Sequence, residues 1–145
     1  MPLIEREIIV PTSVEDAFDF VANFESCAQW DPGVSAASRR ADTPAGVGAI
    51  YDVDVDFNGR HLPMVYRTIL WDEPNRVVLE GSGSTVKATD DIGFEGVGEG
   101  QTRITYKANI RMRGFLSIVT PLLGKRFQAI GDAAMSGMQE AFARR

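Results

Sequence analysis

Few residues in this chain can do chemistry. Among 145 residues there is one histidine, His61, and one cysteine, Cys27. A Ser-His-Asp set needs its histidine aimed at the serine, and a cysteine-based metal cluster needs several thiols. The Gly-x-Gly runs at 81–83, 96–98 and 98–100 lie in bends with no helix after them, so they cradle no phosphate. No metal and no cofactor is expected on these grounds. What is left is a scatter of polar groups: the tyrosines Tyr51, Tyr66 and Tyr106, the run Trp30-Asp31-Pro32, and the ionisable pair of types Arg6 and Asp90. A tyrosine hydroxyl inside an apolar wall orients a ligand's polar end or serves as a weak acid.

Those groups act only if the elements carrying them turn them inward. Residues 3–10 read as a first strand, stopped by Pro11. Thr12 or Ser13 caps a helix in which Val14, Ala17, Phe18, Val21 and Ala22 recur at helical spacing. Residues 24–31 suggest a second short helix, ended by Pro32-Gly33. A weak strand at 34–41 precedes a strong one at 49–57, where Tyr51, Val53, Val55 and Phe57 alternate with three aspartates. Asn58-Gly59 then predicts a two-residue type I′ hairpin. That loop pairs Phe57 with Arg60, Val55 with Leu62, Val53 with Met64 and Tyr51 with Tyr66. Asp72-Glu73-Pro74-Asn75 makes the next turn, and strands follow at 76–81 and 84–96. A three-residue turn at Gly98-Glu99-Gly100 leads into the alternating strand 103–113. It pairs Ile104 with Phe94, Tyr106 with Ile92 and Ala108 with Asp90; a one-residue slip would set Ile104 against Glu95. Residues 115–119 read as a helical turn or two. Thr120-Pro121 reads as a cap and first position of a helix reaching about residue 143, with an apolar stripe of Leu123, Phe127, Ile130, Ala134, Met138, Ala141 and Phe142.

These registers sort the candidates. His61 falls on the outer face opposite Asp56, where a solvent-facing cross-strand pair is the ordinary job and general-base work the alternative. The three tyrosines fall on inner faces, with core packing and ligand orientation both open. Cys27 reads as a small buried hydrophobe. Residues 1–100 carry 7 Lys+Arg and 18 Asp+Glu, net −11; residues 101–145 carry 8 and 2, net +6, which together give −5. Scattered basic residues and a pI near 4.9 argue against nucleic acid as a partner and favour neutralisation between the two parts. No apolar run is long enough to span a membrane, and the N-terminus lacks the form of a signal peptide, so a cytoplasmic location is expected. The length fits a single domain over 1–145.

The order of one strand, two short helices, six strands in meander and a long last helix resembles the helix-grip fold of the START-like superfamily, also called SRPBCC or Bet v 1-like. The segments IIVPTSVEDAFDFVANFESCAQWDPGV, LWDEPNRVVLEG, GQTRITYKANI and PLLGKRFQAIGDAAMSGMQEAF carry the likeness, in the form of its polyketide cyclase/dehydrase and lipid-transport group. The resemblance implies an α+β fold: a seven-stranded curved antiparallel sheet wrapped around the C-terminal helix, with an apolar cavity between them. It places the first strand beside the last, so that Arg6 and Asp90 meet over the small Ala108; the alternative is a bulge that leaves Arg6 in water. It also places Trp30 near the cavity mouth, against the plainer role of anchoring its helix. The cavity candidates are Arg6, Trp30, Tyr51, Val53, Met64, Tyr66, Asp90, Ile92, Tyr106, Ala108, Phe127, Ile130 and Ala134. The function implied first is a carrier or sensor of a small, mainly hydrophobic molecule. An aromatase/cyclase or dehydratase is second, and a regulatory protein-interaction module using Arg103, Lys107 and Arg111 is third. Monomer and homodimer stay open.

Overall fold

The computed structural model describes residues 3–57, 59–114 and 122–145. Period-two alternation builds seven strands: β1 (Leu3–Val10), β2 (Val34–Arg39), β3 (Ile50–Phe57), β4 (Arg60–Asp72), β5 (Arg76–Ser82), β6 (Val86–Gly96) and β7 (Thr102–Met112). They form one antiparallel sheet in the order β1-β7-β6-β5-β4-β3-β2. Between β1 and β2 lie α1 (Val14–Ala22), a 3-10 turn (Phe24–Ser26) and the single turn α2 (Cys27–Trp30); α3 (Gly124–Ala143) ends the chain. This is the helix-grip α+β architecture.

Both hairpin registers stand as the turn chemistry sets them. Tyr51 faces Tyr66, Val53 faces Met64, Val55 faces Leu62 and Phe57 faces Arg60. Gly59 takes φ 76°, the left-handed value the second residue of a type I′ turn requires, while Asn58 lies outside the described residues. Across the later hairpin, Phe94 faces Ile104, Ile92 faces Tyr106 and Asp90 faces Ala108. Its loop closes with Val97 N–H donating to Gln101 C=O at 3.0 Å.

Element ends differ from expectation for local reasons. Ser13, of the two cap candidates, accepts the Asp16 N–H at 3.2 Å. The expected helix 24–31 is a 3-10 turn followed by α2, and it stops at Trp30 because Asp31 is extended ahead of Pro32. The weak strand ends at Arg39 instead of 41. β6 starts at Val86 instead of 84, since Gly83 N–H bonds Val86 C=O in a tight turn. The last helix starts at Gly124 instead of 121. Leu123 precedes it with no side-chain cap, after a 3-10 turn at 122–123. The readings of 115–119 and of Thr120-Pro121 fall outside the described residues.

Three helical pieces divide the concave face of the sheet. At one end α1 packs on β6, and Phe18 meets Phe94 at 5.2 Å and Trp71 at 5.0 Å between ring centroids. In the middle Phe24 and Trp30 press on Tyr51, Tyr66 and Tyr106. Over the rest lies α3, seated on β1 and α2. Two glycines permit that seat. A Cβ on Gly131 would fall 2.4 Å from Ile4 Cγ2, and one on Gly137 only 1.9 Å from the Trp30 carbonyl oxygen. Phe127 of α3 stacks on Phe57 of β3 at 5.6 Å, so the helix reaches across from the β1 side to β3. No helix among the described residues is long and apolar enough to cross a membrane.

Candidate functional site

Under α3, where neither α1 nor Phe24 fills the concave face, a cavity of about 130 Å³ remains. Its walls follow from the register. β1 contributes Ile4 and Arg6, β3 Val55 and Phe57, β4 Leu62, Met64 and Tyr66, β6 Val86, Ala88 and Asp90, and β7 Tyr106, Ala108 and Ile110. α3 closes it with Phe127, Ile130, Gly131, Ala134 and Met135. β5 contributes no lining side chain: Gly81 within it and Gly83 just past its end stand where side chains would project. The Tyr66 ring and Met64 sulfur lie over them, each 2.6 Å from where a Cβ would be. The glycines therefore let Tyr66 lie back and keep the space open.

Most of the wall is apolar. The polar groups Tyr106, Asp90 and Tyr66 stand on three adjoining cross-strand rows at the buried end, with Arg6 opposite Tyr106 on β1 and Asp31 after α2. Asp90 is 6% exposed. Its Oδ2 accepts a short hydrogen bond from the Tyr106 hydroxyl. The two are diagonal neighbours across β6 and β7, within reach for an aromatic side chain. Neither Asp90 Oδ1 nor the Tyr66 hydroxyl has a hydrogen-bond partner among the described residues. Burial pushes the Asp90 pKa up to about 7; the Tyr106 bond acts against this, and the negative charge of Asp31 adds to it. Burial also raises Asp31, whose Oδ1 accepts the Gly33 N–H at 2.8 Å. Both Tyr66 and Tyr106 are driven well above the ordinary phenol value, by burial first and the Asp90 charge second.

Of the candidates read from the sequence, Arg6, Trp30, Met64, Tyr66, Asp90, Tyr106, Ala108, Phe127, Ile130 and Ala134 line this cavity. Tyr51, Val53 and Ile92 do not. They lie further along the same inward rows, with Phe24 between Tyr51 and the cavity and α1 packed on β6 toward Ile92. Tyr51 instead sits beside Thr68 and the Phe24 backbone, just short of hydrogen-bond geometry. The Arg6–Asp90 pair does not form. Arg6 does face inward with Ile4 and Ile8, but its long side chain leaves the sheet for α3. Nε meets Asp132 Oδ1 at 2.7 Å and Nη2 meets Gln128 Oε1 at 2.8 Å. Trp30 is both anchor and lining residue: it is 2% exposed, and its Nε1 donates to Ser26 Oγ at 3.2 Å.

His61 is exposed on the outer face, 3.4 Å from Asp56 and 3.5 Å from Asp54. Burial pushes the Cys27 thiol well up, toward the unreactive neutral form. Arg103, expected on a basic outer face, is held by two acids of the first hundred residues, Glu7 at 3.3 Å and Glu95 at 2.6 Å. Sequence reasoning passed over Asp31 as a wall residue, although it stood next to Trp30. It also passed over Val55, Phe57, Leu62 and Ile110, which belong to the same alternating rows and were within reach of the same argument.

A family profile described as polyketide cyclase / dehydrase and lipid transport matches residues 1–145. Comparison with curated proteins gave no match. Among solved structures, a START superfamily protein from Mycobacterium smegmatis superposes with TM-score 0.80 at 14% identity, over 98% of this chain and 97% of that one. A protein from Thermus thermophilus does so with TM-score 0.81 at 16% identity, over 99% and 98%. The Zhui aromatase/cyclase from a Streptomyces species gives 0.75 at 12% identity, over 97% and 90%. At such identities the structural likeness establishes the fold. With the profile spanning every residue, the chain belongs to the polyketide cyclase / dehydrase and lipid transport family.

Proposed function

We propose that this protein is a carrier or sensor that holds a small, mainly hydrophobic molecule between its sheet and C-terminal helix. The observation that carries this reading is the apolar cavity under α3 with a few polar groups, Asp90, Tyr66 and Tyr106, on its wall. Burial of ligand area at roughly 25 cal/mol/Å² drives entry, and these groups fix orientation. The space suits a single ring, since a cavity of about 150 Å³ takes benzene. A longer lipid or polyketide-like ligand requires α3 or its side chains to move. The test is titration calorimetry with toluene on the wild type and on Ala134→Leu, which projects a larger group into the space. Binding to the first and at least tenfold weaker binding to the second supports the reading; equal affinities place the ligand elsewhere.

A second reading is acid–base catalysis on a polyketide-like substrate, by analogy with the Streptomyces neighbour, itself an aromatase/cyclase. It is favoured by Asp90, a carboxyl with pKa about 7 beside a tyrosine, near the operating pH a proton-transfer group needs. Turnover of a poly-β-keto thioester that disappears in Asp90→Asn would select it over the carrier.

A further inference from the structure

The inner end of the cavity is built to accept hydrogen bonds and positive charge. Asp90 Oδ1 is unpartnered among the described residues, and the Asp31 carboxyl lines the same wall. Among the described residues the one cationic group lining it, Arg6, is engaged by Asp132, Gln128 and the Glu5 carbonyl. A carboxylate ligand would therefore meet two acids and no uncommitted cation. The rings of Trp30, Tyr66 and Tyr106 surround the same corner, with Trp30 and Tyr106 edge to face at 6.0 Å. An ammonium group is attracted to such rings and to a desolvated carboxylate together. The remaining wall accepts only apolar surface.

We propose that the ligand of this cavity is an amphipathic amine, a single-ring apolar body bearing one protonated primary amino group, with the ammonium donating to Asp90 Oδ1 inside the ring of Trp30, Tyr66 and Tyr106. This rests on the cavity being the binding site and adds which head group it selects. The buried acid then has a use: an unpaired carboxylate is costly in an apolar wall, and the incoming cation is its missing partner.

Charge fixes the pH dependence. The groups facing Asp90 are Tyr106 from β7, Tyr66 from β4, Cys27 and Asp31 from α2 and the residue after it, and Arg6 from β1. β5 offers Leu79, and α3 presents no titratable side chain to the wall. Neither the tyrosines nor the thiol ionises near neutrality, because all three are raised. Asp90 changes state in that range, and Asp31, raised by burial, is the other carboxyl on the wall. With its pKa about 7, Asp90 is roughly one-tenth ionised at pH 6 and nine-tenths at pH 8. A primary amine stays protonated throughout, so its affinity rises about tenfold over that interval.

Four single-ring probes test this by calorimetry at pH 8: benzylamine, benzyl alcohol, toluene and benzoate. The expected order is benzylamine at least tenfold tighter than toluene, benzyl alcohol between them, and benzoate weakest. Asp90→Asn should bring benzylamine down to the toluene level while toluene binding persists. Should Asp90→Asn not fold, wild type measured at pH 6 and 8 decides: benzylamine must gain and toluene must not. If toluene binds but benzylamine is no tighter, if benzyl alcohol equals benzylamine, or if benzoate matches it, the cavity is a binding site and the ammonium assignment is wrong. If none of the four binds, the cavity reading itself fails, and the proposal with it.

Discussion

At pH 8 the Asp90 carboxyl is ionised inside an apolar wall, with the Tyr106 hydroxyl its one side-chain hydrogen-bond donor among the described residues. Its pKa of about 7 lies above the ordinary 3.8. Between those values the folded protein keeps a proton that the unfolded chain has released. Stability therefore falls as pH rises, by about 1.36 kcal/mol per pH unit, and the loss is complete above about pH 7. Asp90→Asn keeps the shape and removes the titration. From pH 5 to pH 8 the wild type should lose about 2–3 kcal/mol more than the variant in urea denaturation, while every other group titrates in both. Parallel profiles would show that Asp90 does not carry the shift. The position of Asp90 was legible because the Gly98–Gly100 turn fixes its register. Its partner was legible too, since Tyr106 is its diagonal neighbour, and was passed over for Arg6. What spacing along strands could not supply was the reach of Arg6 to Asp132 and Gln128, because nothing in β1 says how α3 is rotated above it.

Turns made the strands readable, and close approaches made the helices less so. The hairpin residues demand one loop geometry each, and apolar matching excludes the slipped alternative, so β3, β4, β6 and β7 are paired from sequence alone. Gly131 and Gly137 carried no comparable signal. Mid-helix glycine costs about 1 kcal/mol against alanine in propensity. Here its use appears only when α3 lies on Ile4 and on the Trp30 backbone. The alanine that propensity favours at 137 has no room: its Cβ would overlap the Trp30 carbonyl oxygen, which is backbone and moves only with α2. Gly137→Ala should therefore destabilise by about 1–3 kcal/mol despite its better propensity, measured by urea denaturation, and should disturb the cavity wall at Trp30. A stabilised variant would mean that α3 and α2 are not seated this closely. The same helical packing explains why inward-facing Tyr51, Val53 and Ile92 are core and not cavity: strand period says which face a residue takes, not which helix covers it.

For the molecule as a whole, the family likeness supplied what periodicity could not, namely that β1 returns to lie beside β7. Every other neighbouring pair in the sheet joins strands that follow one another in the chain. Ile4 faces Ala108 and Ile8 faces Ile104, so joining them closes everything from α1 to β6 into one loop. Loop closure of this length costs entropy that local hairpins avoid, which places the β1–β7 ladder late in folding. Ile8→Val, a change of about 0.5–1.5 kcal/mol at a buried site, should accordingly speed unfolding and leave the folding rate unchanged. Val53→Ala, within the β3–β4 hairpin, should slow folding instead. If stopped-flow kinetics show Ile8→Val slowing folding, the first strand docks early. The order of synthesis then acquires a meaning. While the ribosome is still making the meander, β1 has already emerged and has nothing to pair with. Until β7 and α3 have followed, it is a bare strand carrying Ile4, Ile8, Ile9 and Val10, the kind of apolar segment a holding chaperone covers.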